Sequence, residues 1–139
     1  MAKKFTLGKN ERLKSRKQIE QLFSEGKKFT VTPFRVFYLF QAPLITDHLL
    51  LKLQFGVGVS VKNFKKAVDR NRIKRLTREA YRLQKNELAE KLKLSGRKLN
   101  VFFIYTDKEI PDFNLVKDKV ALILKKFEKI VDENIPTDT

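Results

Sequence analysis

The chain has 139 residues, with 31 Lys+Arg, 16 Asp+Glu, one His and no Cys, and its formal net charge is +15. Its apolar content of 42% is sufficient for a core, and its 12 Phe argue against disorder. The absence of cysteine excludes a disulfide scaffold, a thiolate metal site and a cysteine nucleophile. No signal peptide is visible, and no apolar stretch approaches the roughly 18 residues of a membrane-spanning helix. We therefore expect one cytoplasmic domain over residues 1–139, with no membrane partner.

The positive charge is concentrated in two segments. Residues 1–28 carry 9 basic and 3 acidic groups, and residues 62–82 carry 9 and 2. Residues 29–61 and 83–139 each have a net charge of only +1. A generally basic surface would spread its lysines more evenly, so the clustering favours a binding site for a polyanion such as nucleic acid.

A short amphipathic helix is predicted over about residues 15–25. Ser15 and Gln18 have the spacing of a capping box at its start. Three apolar side chains recur at helical spacing and would share one face: Ile19, Leu22 and Phe23. Gly26 can end this helix in a left-handed conformation. We expect residues 1–14 to form a mobile basic arm before it.

Three strands are predicted next, over residues 29–32, 34–41 and 49–61, with a turn at 42–48. Pro33 separates the first two, because proline cannot donate a ladder hydrogen bond. Alternation along the second strand assigns two faces, one with Phe34, Val36, Tyr38 and Phe40 and the other with Arg35, Phe37 and Leu39. Gly56 and Gly58 in the third strand leave room for a close neighbour or a bulge.

The second half of the chain predicts a helix, a strand and a helix. The first helix covers about 67–93, with a candidate break at Lys85–Asn86, and Gly96 ends it. Residues 99–105 form an almost continuous apolar run, which predicts a strand covered on both faces. Pro111–Asp112 opens the last helix, which has one apolar stripe, and residues 135–139 form a frayed tail. The stripe consists of Val116, Val120, Ile123, Leu124, Phe127, Ile130 and Val131. The order α-β-β-β-α-β-α predicts an α+β sandwich of helices on a four-stranded sheet.

Residues 62–82 carry the most informative pattern. On a helix, one arc of side chains can pack on the sheet: Ile73, Leu76, Thr77 and Ala80. Cations at steps of four form a stripe along the flank: Arg70, Lys74, Arg78 and Arg82. Like charges at this spacing repel by about a few tenths of a kcal/mol per pair. Phosphates would relieve that repulsion, so the stripe favours a polyanionic partner.

The string over residues 67–75 contains Arg70-Asn71-Arg72 and resembles the Arg-Asn-Arg signature of the bacterial ribonuclease P protein subunit. It continues to residue 82 and follows a predicted strand that ends with Val59-Ser60-Val61-Lys62, as in that family. Phe23, Gly26 and residues 12–14 fit the family's first helix and the segment that precedes it. Length, charge and element order agree as well, so the resemblance covers nearly the whole chain.

The resemblance implies an α+β sandwich with a left-handed crossover between parallel strands. It also implies a function: a protein subunit that joins a catalytic RNA in the endonucleolytic removal of the 5′ leader from precursor tRNA. The RNA and its Mg²⁺ ions would perform the cleavage, so this chain would hold no catalytic residue, metal or other cofactor. The single-stranded leader would lie in a cleft between the first helix and the sheet.

The resemblance assigns roles to individual residues. The RNA-binding residues that it implies are Arg12, Lys14, Lys62, Lys65, Lys66, Arg70, Asn71, Arg72, Lys74, Arg75, Arg78 and Arg82. The cleft residues that it implies are Ile19, Phe23 and Phe37, and their aromatic rings can stack on leader bases. Ile19 stands where the family often has another aromatic residue. Phe23 fits the core as well as the cleft, and most other phenylalanines, including Phe102, Phe103 and Phe127, are predicted to be core.

Two functions of different classes remain open. The chain is either the accessory subunit of a ribonucleoprotein endonuclease or a non-catalytic RNA-binding module of ribosomal or RNA-remodelling type. A self-sufficient nuclease is not supported, because no paired carboxylates, Ser-His-Asp arrangement or phosphate-binding loop stands out in the sequence.

Overall fold

The computed structural model describes residues 12–13, 15–41, 53–95 and 97–133, which contain four helices and four strands. The helices are α1 (Arg16–Glu25), α2 (Ala67–Gln84), α3 (Asn86–Ser95) and α4 (Phe113–Glu133). The strands are β1 (Lys27–Val31), β2 (Phe34–Gln41), β3 (Leu53–Val59) and β4 (Lys98–Tyr105). The predicted α+β class is confirmed. The helix predicted over 67–93 is two helices, and the chain breaks at Lys85 as the candidate break indicated.

The strands form one sheet in the order β1-β2-β4-β3. β1 and β2 are an antiparallel hairpin around Thr32-Pro33, whose peptide bond is cis. β4 pairs antiparallel with β2 and parallel with β3. Because α2 and α3 join the parallel neighbours β3 and β4, this connection is a crossover. That this crossover is left-handed stays an expectation from the resemblance.

One face of the sheet carries the core, and α2 and α4 close it. The core-facing positions of β2 and β4 include Phe34, Val36, Phe103 and Tyr105, all at most 1% exposed. The stripe predicted on α4 is buried, with Ile130 half-buried at its edge. The arc predicted on α2 is confirmed at Ile73, Thr77 and Ala80, and Leu76 packs against the core half-buried. The buried Thr77 hydroxyl donates to the Ile73 carbonyl at 2.8 Å, so this polar group has a hydrogen-bond partner inside the core.

Sequence periodicity missed one core residue of α2. Tyr81 is 1% exposed and stacks on Phe55 of β3, with ring centroids 3.9 Å apart and an interplanar angle of 8°. This contact joins α2 to the middle of the strand beside which the basic N-terminal segment lies.

Helix α1 lies on the opposite face of the sheet, against β2 and β4. A helix of 10 residues is about 15 Å long, which is shorter than an eight-residue strand of about 26 Å. β4 is therefore only partly covered on this face, and the prediction of burial on both faces is wrong there. Phe102 and Ile104 are half-buried, since Val101 and Phe103 occupy the core-facing positions. The core prediction for Phe102 is wrong for the same reason.

The ends of α1 explain two sequence signals. The Gln18 N–H donates to the Ser15 hydroxyl oxygen at 3.3 Å, so the Ser15 half of the predicted capping box is confirmed. The left-handed ending predicted at Gly26 is wrong, because its φ and ψ of −76° and 168° are extended. Glycine is required there for space: a Cβ would lie 2.5 Å from the Leu22 carbonyl oxygen and 2.7 Å from that of Tyr38.

Other boundaries shift by a few residues. β3 ends at Val59 rather than at residue 61, because residues 61–63 form a turn. α4 begins at Phe113, and the Asp112 side chain accepts the N–H of Leu115 at 2.8 Å as its cap. Predictions for residues 1–11, Lys14, 42–52, Gly96 and 134–139 lie outside the described residues. None of the helices in the described ranges is long and apolar enough to cross a membrane.

Candidate nucleic-acid interface

Three phenylalanine rings meet between α1 and the sheet. Phe23 of α1 lies with its ring centroid 4.9 Å from Phe37 of β2 and 5.5 Å from Phe102 of β4, edge-on in both cases. Phe37 and Phe102 are direct partners in the strand register. Phe23 is nevertheless 44% exposed, so this group borders solvent instead of closing a core. We call Phe23, Phe37 and Phe102 the aromatic cleft, after the leader cleft that the resemblance implies between the first helix and the sheet.

Two glycines shape the floor of the aromatic cleft. Gly56 is the β3 partner of Phe102, and a Cβ on Gly56 would lie 2.7 Å from the Phe102 ring. A Cβ on Gly58 would lie 3.1 Å from the same ring. The close neighbour predicted for these glycines is thus the Phe102 side chain, which lies over the β3 backbone. Sequence reasoning missed Phe102 as a cleft residue, because its register opposite Gly56 is a long-range pairing that appears only in the folded sheet.

Ile19, the third predicted cleft residue, is half-buried one helical turn before Phe23. It adds apolar surface to the α1 wall of the cleft, but it has no ring to stack on a base.

Residues 12 and 13 run along the free edge of β3. The Leu13 N–H donates to the Phe55 carbonyl at 2.8 Å, and Arg12 forms a parallel bridge with Phe55. The segment thus covers part of an otherwise unpaired strand edge. It also fixes the backbone from which the exposed Arg12 side chain extends toward α2.

Arg12 and α2 together line a groove of about 480 Å³. We call it the arginine groove, and its lining residues are Arg12, Asn71, Arg75, Arg78, Glu79 and Arg82. Burial lowers the pKa of the Arg78 guanidinium, and the charge of Arg12 lowers it further. Both effects disfavour the charged form of Arg78. An anion bound in this groove would stabilise that charged form.

Glu79 moderates the charge of the groove. Its carboxylate accepts a bidentate pair of hydrogen bonds from Arg82, with the Nε of Arg82 3.1 Å from Oε2. This pairing lowers the pKa of Glu79 and raises that of Arg82. Arg82 is therefore placed in the predicted surface, but its guanidinium already has an anionic partner.

The other predicted RNA-binding residues fall into two groups. On the outer side of α2, Arg72 is exposed and Lys74 is half-buried, beside the exposed groove residues Asn71 and Arg75. In the loop before α2, the exposed cations are Lys62, Lys65 and Lys66. Arg70 differs from both, because its guanidinium donates to the backbone carbonyls of that loop at 2.7 and 2.8 Å. The predicted stripe is therefore not uniform along the helix.

The aromatic cleft and the arginine groove meet at the edge of β3. The Leu13 carbonyl oxygen would lie 3.1 Å from a Cβ on Gly56, beside the cleft floor. The preceding residue, Arg12, lines the groove. A surface that offers stacking rings and clustered cations side by side suits single-stranded nucleic acid. In the described ranges no group of three or more His, Cys, Asp or Glu residues could hold a metal ion.

Comparison with known proteins decides the family. The family model described as Ribonuclease P matches residues 7–128. The chain belongs to the ribonuclease P protein family. A ribonuclease P protein component from Porphyromonas gingivalis strain W83 is 42% identical over 113 residues, which cover 81% of this chain and 80% of the relative. One from Chlorobium phaeobacteroides is 31% identical over 126 residues, which cover 86% of each protein.

Solved structures agree with this assignment. The RNase P protein from Thermotoga maritima aligns with a TM-score of 0.61 at 27% identity, over 84% of this chain and 96% of that one. The Staphylococcus aureus protein, at 19% identity and a TM-score of 0.60, shows the same fold. The chain is thus the protein component of a ribonucleoprotein endoribonuclease of tRNA 5′ maturation, and ribonuclease P RNA is its partner. The alternative of an unrelated RNA-binding module is set aside.

Proposed function

We propose that the aromatic cleft binds the 5′ leader of precursor tRNA while the arginine groove and the outer side of α2 contact the RNA subunit. One observation carries this proposal: the cleft and the groove adjoin across residues 12–13. A leader in the cleft would therefore lie directly beside the RNA bound at α2. The protein would in this way hold the substrate strand next to its catalytic partner.

The chemistry of the cleft supports a single-stranded ligand. Base–aromatic stacking contributes about 1–3 kcal/mol per base and tolerates any sequence, because every base has a π-face. Leaders of different tRNAs differ in sequence, so such tolerance suits this substrate. The partly exposed Phe23 ring offers surface that an unpaired base can cover.

The chemistry of the groove supports phosphate binding. Four arginines line it, and each phosphate contact to single-stranded or duplex RNA releases condensed counterions. Asn71 adds a neutral side chain that can both donate and accept, which suits a ribose 2′-hydroxyl or a base edge. The groove can therefore provide both affinity and some discrimination of RNA from DNA.

The cleavage chemistry belongs to the RNA in this proposal. A chain with a net charge of +15 repels Mg²⁺, whereas RNA phosphates are hard oxygen ligands that attract it. We propose that the catalytic Mg²⁺ ions are bound through the RNA and that the enzyme works in the cytoplasm. The protein's contribution is to position the substrate and to neutralise phosphate charge.

A reconstituted cleavage assay tests this function. The chain is added to ribonuclease P RNA at low Mg²⁺, and cleavage of precursor tRNAs with leaders of increasing length is measured. We expect stimulation that grows with leader length until the cleft is filled and then levels off. Stimulation that is equal for all leader lengths would contradict the cleft assignment, and no stimulation would contradict the function as a whole.

A further inference from the structure

The loop between β3 and α2 presents three exposed lysines. We call residues 60–66 the lysine loop, after Lys62, Lys65 and Lys66. Its first half is held to the rest of the fold. The Phe64 N–H donates to the Ser60 carbonyl at 3.0 Å, and the Phe64 side chain is buried in the core. The Asn63 amide donates to the Thr106 carbonyl at 3.2 Å, which ties the loop to the end of β4.

The second half of the lysine loop is held by Arg70. The Nη1 of its guanidinium donates to the carbonyl oxygens of Phe64 at 2.7 Å and of Lys65 at 2.8 Å. The N-cap residue of α2, Lys66, makes no side-chain capping bond with the described residues. The Arg70 side chain thus bonds both carbonyls that precede Lys66, and these hydrogen bonds are strong because their donor is charged.

This geometry gives Arg70 a role different from that of its neighbours on α2. Its Nη1 donates to two peptide carbonyls of the protein itself, whereas Asn71, Arg72 and Arg75 are exposed on the outer side. A loop that is ordered before binding loses less conformational entropy when it meets a ligand. Arg70 thus acts on the backbone between the buried Phe64 and the exposed Lys65 and Lys66.

We infer that Arg70 is a positioning residue for RNA binding, whose guanidinium orders the lysine loop so that Lys65 and Lys66 meet RNA phosphates. Its effect on RNA passes through that loop. The inference rests on the proposed function only in taking RNA as the ligand of this surface. In this inference the first arginine of the Arg70-Asn71-Arg72 string makes its contacts within the protein, and the residues around it make the RNA contacts.

A double-mutant cycle tests this role. Binding of ribonuclease P RNA is measured for Arg70→Ala in the wild-type background and in a Lys65→Ala/Lys66→Ala background. We expect a loss of about tenfold in the wild type, as for one charge-assisted hydrogen bond. In the Lys65→Ala/Lys66→Ala background we expect a loss of less than about twofold, because the lysines through which Arg70 acts are absent; about twofold is the scatter of additivity between independent sites. Equal losses in both backgrounds would show a direct phosphate contact and overturn the inference.

Arg75→Ala is the matched control, because Arg75 is an exposed arginine of the same helix that does not bond the loop in the described structure. Its loss should be the same in both backgrounds. If Arg75→Ala weakens binding while the two lysine substitutions have no effect, the inference is wrong and the proposed function stands. If none of these substitutions weakens binding, the assignment of RNA to this surface fails.

Two further measurements separate positioning from charge. Arg70→Lys keeps the charge but has a shorter reach, so it should bind RNA as weakly as Arg70→Ala; wild-type affinity would overturn the inference. Without RNA, trypsin should cut after Lys62, Lys65 or Lys66 faster in both variants than in the wild type. Unchanged cleavage would also overturn it. If Arg70→Ala unfolds at the assay temperature, Arg70→Lys replaces it in the cycle.

Discussion

Phe37 is the residue through which the contribution of the aromatic cleft can be measured with little disturbance of the core. It lies on the face of β2 opposite the core, with its ring 4.9 Å from that of Phe23. We expect Phe37→Ala to weaken binding of precursor tRNA to the holoenzyme by about 1–3 kcal/mol, the contribution of one stacked base. Binding of mature tRNA should not change, because mature tRNA has no leader. Equilibrium binding of the two tRNAs measures the difference.

Leu39→Ala is the control for Phe37→Ala. Leu39 is a half-buried residue on the same face of the same strand, but it is aliphatic. It should affect stability in a similar way without a selective loss of precursor binding. Equal losses for precursor and mature tRNA in Phe37→Ala would contradict a leader contact.

Glu79 is the second residue whose role is measurable, because it withholds Arg82 from an incoming phosphate. We expect Glu79→Gln to strengthen RNA binding, since it removes a competing carboxylate from the arginine groove. The slope of log K against log salt should become steeper by about 0.7–0.9 if Arg82 gains one phosphate. Asp132→Asn is the control: it makes the same change of net charge by removing the partner of Lys91, outside the groove. An equal effect of both variants would mean that only net charge matters.

At the scale of elements, the floor of the cleft depends on a strand that lacks side chains at two positions. A Cβ at Gly56 would lie 2.7 Å from the Phe102 ring, which is closer than packed atoms allow, whereas at Gly58 the distance would be 3.1 Å. We expect Gly56→Ala to lower the free energy of unfolding by about 1–3 kcal/mol through overpacking. Gly58→Ala should lower the free energy of unfolding by less than Gly56→Ala does. Urea denaturation of both variants measures this order, and the reverse order would contradict the geometry.

The elements also show what the sequence could and could not predict. The two faces of β2 and the stripe of α4 were predictable, because alternation or helical period separates their buried and exposed positions. In the apolar run of β4 no such contrast exists, so nothing in the run showed that Phe102 faces α1. Its position follows from the register with Gly56, which is a long-range pairing.

The candidate site divides in the same way. Charge clustering and the resemblance predicted the cations of α2, since side-chain type decides where phosphates bind. The bonds from Arg70 to two loop carbonyls depend on the path of the backbone, which no pattern of residue types specifies. The position of Arg12 depends on its bridge to Phe55, and that contact exists only after the sheet has formed.

At the scale of the whole molecule, folding brings the two basic segments of the sequence together. The first segment contributes Arg12 and the second contributes the outer side of α2, and they face each other across the arginine groove. The charge of residues 83–139 is balanced, with pairs such as Lys91–Asp132 at 2.7 Å between α3 and α4. The described residues therefore concentrate cations where Arg12 meets α2, and this charge would orient the protein toward RNA as it approaches.

That concentration of charge also predicts how the folded state responds to anions. The free protein bears the repulsion between Arg12 and the partly buried Arg78, and a dianion in the groove would offset it. At a hundred times its Kd, a bound anion stabilises the fold by about 2.7 kcal/mol. We therefore expect sulfate to raise the Tm more than chloride at equal ionic strength, by roughly 10 °C at saturation.

Arg78→Ala separates this specific effect from the general one, because sulfate also stabilises proteins by exclusion from their surface. The variant keeps that general effect and loses one wall of the groove, so its sulfate-minus-chloride difference in Tm should be smaller. At low salt its Tm should be at least that of the wild type, since the substitution removes a like-charge neighbour of Arg12. A sulfate-minus-chloride difference in Tm of equal size in Arg78→Ala and in the wild type would show that sulfate does not bind in the arginine groove.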